Sequence, residues 1–170
     1  MDSVIRSERF TLRIVTPEDH AAVLDVYRQC EDFLALGPNP TASAEMVAGD
    51  LALSQRQGGM FYGVYDPAGR MIGVVDVVPR LYEGNPALAF LELLMIAQPH
   101  RSKGLGAEIV RVVEAAIRQD GTVKTIRAGV QVNNPGAIRF WQRMGYRITS
   151  GPTLEHDQTI CYALRKDFAE

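Results

Sequence analysis

Three features of the sequence have the residue types and spacing to do chemistry. The first is a short turn, Gln98 to Lys103, which carries Arg101 and Lys103 and runs into Gly104 and Gly106, where a helical pattern opens. The first turn of a helix has unpaired N–H groups and the positive end of the helix dipole. Glycine lets an anion approach the backbone with no Cβ in the way, and two cationic side chains stand at the same end. The second feature is Glu92, a carboxylate inside the apolar run Phe90–Ala97. Burial there would raise its pKa towards that of a working base. Unbroken alternation puts it on the face of Phe90, Leu94 and Ile96. The third is Asp76, which interrupts the strand Met71–Val78 and by the same alternation shares a face with Ile72, Val74 and Val78. It either accepts hydrogen bonds at an open end of the sheet or contacts a cationic substrate.

Three glycine patterns compete for the turn. A P-loop places Lys and Ser/Thr directly after its second glycine. Here Lys103 precedes Gly104 and no Lys follows Gly106, so that pattern fails. The dinucleotide fingerprint has Gly or Ala three residues past its second glycine, and that position is Ile109. The spacing that remains is Arg-x-x-Gly-x-Gly, from Arg101 through Gly104 to Gly106.

These residues need elements to position them. Phe90–Ala97 has the length and composition of a buried strand, and the helix after Gly104 has Leu105, Ile109, Val112, Val113 and Ala116 on one face, with Arg111, Glu114 and Arg118 off it. Gly121 fits its C-terminal stop. Upstream, Phe10–Val15 alternates as a strand, and Thr16-Pro17-Glu18-Asp19 starts a helix expected to run to about Asp32. A second helix follows from Thr41 or Ser43 to before Gly58. Met60–Tyr65 and Met71–Val78 form a hairpin across Asp66-Pro67-Ala68-Gly69, and Pro79–Pro86 is a loop carrying Tyr82. Downstream, Val123–Val132 is a strand. Asn134 caps a short helix with Pro135 at its first position and Gly145 at its stop. Strands at Tyr146–Thr149 and Thr159–Leu164 close the chain, with a turn at Gly151-Pro152.

Composition narrows the class. The 170 residues suffice for one domain with a proper core. A net charge of −2 argues against a general nucleic-acid surface, and no apolar run approaches membrane-spanning length. The polar N-terminus lacks a signal-peptide core, and Cys30 and Cys161 read as reduced thiols, so the expected location is cytoplasmic. No metal-ligand spacing is visible.

The second half of the chain adds Asn-x-x-Ala-x-x-aromatic-aromatic-x-x-x-Gly-Tyr, met by Asn134, Ala137, Phe140, Trp141, Gly145 and Tyr146. With the Arg101–Gly106 turn, one helix and one strand upstream, this resembles the GCN5-related N-acetyltransferase (GNAT) superfamily over nearly the whole chain. The resemblance implies a single α/β (α+β) domain over residues 1–170. Its sheet would be mixed, mostly antiparallel and six- to seven-stranded, flanked by about four helices and splayed between the fourth strand (Phe90–Ala97) and the fifth (Val123–Val132). It implies acetyl-CoA as cosubstrate, with its pyrophosphate on the N–H groups of Ser102, Lys103, Gly104, Leu105, Gly106 and Ala107. Arg101 would stand beside the phosphates, the pantetheine arm would run along Met95 and Ile96, and Asn134 would lie near that arm. No metal is implied. Family members are often dimers, which makes a homodimer the assembly to expect, with no nucleic-acid or membrane partner.

The implied reaction is transfer of an acetyl group to a primary amine of a small molecule or peptide by direct attack in a ternary complex. That chemistry needs a base to free the amine and a donor for the oxyanion. Glu92 is the candidate base, and Asp76 and Tyr82 are candidate acceptor contacts. The family often places a tyrosine acid where this chain has Trp141, and an indole N–H does not release its proton at neutral pH. Tyr82, Tyr146 and Tyr162 are alternative proton sources, or the thiolate departs unaided. The rival reading is a non-catalytic acyl-CoA-binding or sensing module of the same fold; a nucleotide-phosphate enzyme is the third.

Overall fold

The computed structural model describes residues 1–168. The strands are β1 (Val4–Arg6), β2 (Thr11–Ile14), β3 (Met60–Tyr65), β4 (Met71–Val78), β5 (Leu88–Ile96), β6 (Thr125–Gln131), β7 (Arg147–Leu154) and β8 (Ile160–Asp167). They form one sheet in the order β1-β2-β3-β4-β5-β6-β8-β7, in which only β5 and β6 are parallel. Helices α1 (His20–Arg28), α2 (Glu31–Leu34) and α3 (Ala44–Arg56) precede β3; α4 (Leu105–Arg118) links β5 to β6, and α5 (Pro135–Arg143) follows β6. One face of the sheet packs Val75, Val77, Leu91, Ile126, Ala128 and Val130 against Ile109, Val113, Ile117 and Trp141. The other packs Phe61, Val74 and Met95 against Val23, Val26, Tyr27 and Val47 of α1 and α3. The expected mixed, mostly antiparallel architecture is present, with eight strands rather than six or seven.

The splay falls where expected, between β5 and β6. Their pairing covers Leu88–Leu91 against Thr125–Ala128 and then stops, although both strands continue. The parting coincides with a bulge. Across the β4–β5 ladder Asp76 faces Leu93 and Val77 faces Leu91, so Glu92 is the extra residue. Alternation therefore breaks at Glu92. Leu91, Leu94 and Ile96 all pack towards α4 and α5, while Leu93 and Met95 pack towards α1 and α3. The expected sharing of a face by Glu92, Leu94 and Ile96 is thereby corrected. A second irregularity, between Gly73 and Met71 on β4, does the same for Asp76, which keeps Val74 but not Ile72 as a neighbour on its face.

Other departures have local causes. The first helix starts as expected: the Asp19 carboxylate accepts from both the N–H and the hydroxyl of Thr16. It stops at Arg28 because Cys30 leaves helical geometry (φ −119°, ψ 17°), and α2 resumes as a separate turn. Gly151-Pro152 lies inside β7, at a shift of its register with β8, and the reversal comes later, between Leu154 and Ile160. β1 adds a three-residue edge strand against Thr11–Arg13, too short to show a period.

The buried stripe of α4 is Leu105, Ile109, Val110, Val113, Glu114 and Ile117, so Glu114 is inside rather than off the apolar face. At 6% exposure it accepts hydrogen bonds from Lys166 Nζ (2.7 Å) and Tyr146 Oη (3.1 Å), which offset its desolvation. Glu114→Ala strands the ammonium and the hydroxyl together. It should cost about 3 kcal/mol and lower the melting temperature by about 6–12 °C. A melting shift within about 2 °C would show that Lys166 and Tyr146 find water instead.

Candidate active site

The turn after β5 is built as an anion cradle. Ser102 and Gly104 both adopt positive φ, 61° and 77°, and Gly104 caps α4. None of the six backbone N–H groups from Ser102 to Ala107 donates to another described residue; the first intrahelical bond is Glu108 N–H to the Gly104 carbonyl. A Cβ on Gly104 would meet open space. Gly106 has a different reason: a Cβ there would stand 3.3 Å from Ile96 and 3.5 Å from Phe140, so it lets α4 pack closely on β5 and α5. Asn134 caps α5 through its side-chain oxygen, which accepts from Ala137 N–H at 3.0 Å.

Arg101 departs from expectation. Its guanidinium binds the Asp32 carboxylate and the carbonyls of Gln29 and Ile96, so it ties α1 and α2 to the end of β5 rather than facing the cradle. Lys103 Nζ donates to Pro99 O. Arg9, which the sequence reading missed, donates to Lys103 O at 3.1 Å and pairs with Glu108. No local pattern connects residues so far apart in the chain.

Along β5, Ala97 N–H bonds Ile72 O of β4. Alternation then turns the backbone of Met95 to β4 and that of Leu94 and Ile96 to the edge that β6 has left. Met95 O lies 2.7 Å from where a Cβ on Gly73 would sit, as this orientation requires. The Ile96 carbonyl is taken by Arg101 Nε. The open edge thus offers Leu94 N–H and C=O and Ile96 N–H, with Leu94 in the place expected for Met95.

On the α1–α3 side of the same gap stands Glu92, whose carboxylate has no hydrogen-bond partner among the described residues. Burial, then the nearby charges of Asp76 and Asp50, push its pKa up to about 7, while His156 opposes the shift. Asp76 is 2% exposed and accepts from Ser54 Oγ at 2.7 Å; burial pushes it up to about 6. Asp50, which carried no signal in the sequence, accepts from Tyr27 Oη at 2.7 Å and is likewise raised by burial. Tyr82 stacks its ring on Phe90 (centroids 4.3 Å apart) and lies close enough to Glu92 to feel its charge.

The aromatic residues of the second motif are structural. Trp141, 7% exposed, packs edge-on against Phe140 and Tyr146. The Tyr146 hydroxyl is committed to Glu114 and its pKa is driven far up by burial, so it is no proton source. What the arrangement can do is bind a polyanion at one end of an open strand edge and present a carboxylate, half-protonated near neutral pH, beside that edge.

The sequence model of the Acetyltransferase (GNAT) family matches residues 18–146. A comparison with curated proteins finds no significant match. Among solved structures, an acetyltransferase from Thermus thermophilus superposes with a TM-score of 0.76 at 23% identity, covering 96% of this chain and all of the other. Spermidine N-acetyltransferase from Vibrio cholerae, solved with CoA and spermine, gives 0.72 at 16% identity over 95% and 96% of the two chains. An aminoglycoside acetyltransferase in complex with coenzyme A gives 0.73 at 18% identity over 92% and 93%. At these identities the likeness is one of fold. Among the described residues, no helix is long and apolar enough to cross a membrane.

Proposed function

Because the chain belongs to the GNAT acetyltransferase family, we propose that it is an N-acetyltransferase that moves an acetyl group from acetyl-CoA to a primary amine by direct attack. The observation that supports this reading is the pairing of six N–H donors, Ser102 to Ala107, with the Glu92 carboxylate at the two ends of one open edge, neither of them bonded to another of the described residues. The pyrophosphate of acetyl-CoA binds the cradle, and the pantetheine amides pair with Leu94 and Ile96. The acceptor enters from the α1–α3 side. Glu92, directly or through one water, takes the proton of the ammonium. The neutral amine attacks the thioester carbonyl, and Leu94 N–H stabilises the oxyanion. The amide nitrogen sheds its second proton to solvent as the C–S bond breaks. With Trp141 buried and Tyr146 committed to Glu114, the sulfur leaves as thiolate, which a coenzyme A thiol tolerates. Holding both reactants in line supplies the remainder of the acceleration.

The missing tyrosine acid also favours a second reading, an acyl-CoA-binding module without turnover. Calorimetric titration with acetyl-CoA followed by thiol release over an amine panel separates the two. Binding with amine-dependent thiol release is the expected result; binding with none across the panel supports the module.

A further inference from the structure

Arg9 stands in the turn between β1 and β2, far from the glycine turn in the chain but against it in the fold. Ser7 N–H donates to Phe10 O across that turn, and Phe10 and Leu12 are buried in the same core as Leu105 and Ile109 of α4. The turn is thereby anchored beside the start of α4. From there Arg9 makes two contacts. One guanidinium nitrogen donates to Lys103 O at 3.1 Å and the other to Glu108 Oε2 at 3.2 Å. Ser7 Oγ donates to Oε1 of the same carboxylate. Among the described residues, Arg9 is the only side chain that donates to a backbone carbonyl between Ser102 and Ala107. The cations nearer in sequence are engaged elsewhere, Arg101 with Asp32 and Lys103 with Pro99 O.

The bond to Lys103 O fixes more than a carbonyl. The Lys103 C=O and the Gly104 N–H belong to one planar trans peptide and point in opposite directions. Gly104 takes φ 77°, and without a Cβ it is about as free at the opposite sign. The glycine that opens the cradle therefore also lets this peptide turn over, which would put a carbonyl where a phosphate must meet an N–H. Arg9 holds the carbonyl on the β1–β2 side and so keeps the Gly104 N–H on the other. Glu108 adds a second demand. It lies in the first turn of α4, where its charge competes with a phosphate for the positive end of the helix. Ser7 and Arg9 take one oxygen each, which neutralises the carboxylate and holds it towards the β1–β2 turn. With the Arg9 and Glu108 side chains 48% and 27% exposed, the ion pair itself adds little to stability; its effect falls on the cradle.

We propose that Arg9 is a positioning residue for the coenzyme: it locks the Lys103–Gly104 peptide with the Gly104 N–H turned to the pyrophosphate, and it holds Glu108 clear of the same phosphates. This role rests on acetyl-CoA being the ligand of the cradle, as the transferase reading has it. It adds a residue outside the glycine turn on which the affinity depends.

The test is the dissociation constant of acetyl-CoA, measured by calorimetry on the parent and four variants whose circular dichroism shows them folded. Arg9→Ala should weaken binding about 10- to 30-fold, because the lock and the counter-charge go together. In turnover the loss should appear in KM for acetyl-CoA rather than in kcat. Glu108→Gln removes the repelling charge and keeps the Arg9 bond to Lys103 O, so it is the reference for the double variant Arg9→Ala/Glu108→Gln. The double variant should bind about fivefold more weakly than Glu108→Gln, the part that belongs to the peptide lock. Arg9→Lys keeps a cation beside Glu108 but lacks the fork that reaches Glu108 and Lys103 O together. It should lie between the parent and Arg9→Ala, and it carries the comparison if Arg9→Ala does not fold. A folded Arg9→Ala that binds within about threefold of the parent would overturn the proposal. So would a double variant equal to Glu108→Gln, which would leave Arg9 a counter-charge only. A parent protein that does not bind acetyl-CoA would instead overturn the transferase reading beneath it.

Discussion

Gly104→Glu abolishes acetyl-CoA binding, raising the dissociation constant at least about 100-fold, or nearly 3 kcal/mol, while the domain stays folded. Gly104 has φ 77° and open space where a Cβ would be. A side chain there costs about 1–2 kcal/mol of left-handed strain, which a core of this size absorbs. The larger effect is electrostatic. The new carboxylate would stand at the N-terminus of α4, among the N–H groups of Ser102 to Ala107, where the pyrophosphate must sit. Gly104→Ala separates the two terms, because it carries the strain without the charge, and should cost about tenfold or less. Unchanged affinity in folded Gly104→Glu would remove the phosphate cradle from the account.

Glu92→Gln lowers kcat about 100-fold or more, with acetyl-CoA affinity nearly unchanged, because the carboxylate acts on the amine and not on the coenzyme. In the parent enzyme kcat/KM rises with pH to a limb near 7, where Glu92 loses its proton. Burial first, and then Asp76, Asp50 and Asp157, push that limb up, and His156 on the β7–β8 turn pulls it down. The limb disappears in Glu92→Gln; an unchanged profile would dismiss Glu92 as the base. Stability moves with the same proton. The native value lies above the unfolded value of about 4.3, so the folded state holds the extra proton between the two. Stability is therefore lost as pH rises through about 7. Glu92→Gln escapes that loss and gains on the parent between pH 5 and pH 8, by about 1–3 kcal/mol.

Much of the frame was readable because its signals are local. The glycine turn, the Asn134-Pro135 helix start, the β3–β4 hairpin and the buried strand each declare themselves within a few residues. The splay between β5 and β6 came only with the family resemblance that these elements carry. What was not readable depends on contacts between distant segments or on one-residue slips. The bulge at Glu92 inverts the alternation on which its face was judged, because a strand's period carries no mark of an inserted residue. Arg101 looks like a phosphate ligand until α1 and α2 bring Asp32 and the Gln29 carbonyl against it. Glu114 reads as a solvated charge because its partners, Tyr146 and Lys166, lie elsewhere in the chain. Asp50 sits on α3 among exposed residues, and only the fold carries it towards Asp76 and Glu92.

The central claim is that a nitrogen attacks the thioester on this scaffold. Mass spectrometry of the acceptor after incubation with acetyl-CoA and the protein tests it most directly, with Glu92→Gln and a protein-free mixture run alongside. The account predicts an acceptor heavier by one acetyl group, carrying an amide, formed in step with free coenzyme A and suppressed in Glu92→Gln. Tight acetyl-CoA binding with no acetylated amine above the protein-free mixture would contradict it, and would leave the fold as a binder of acyl-CoA.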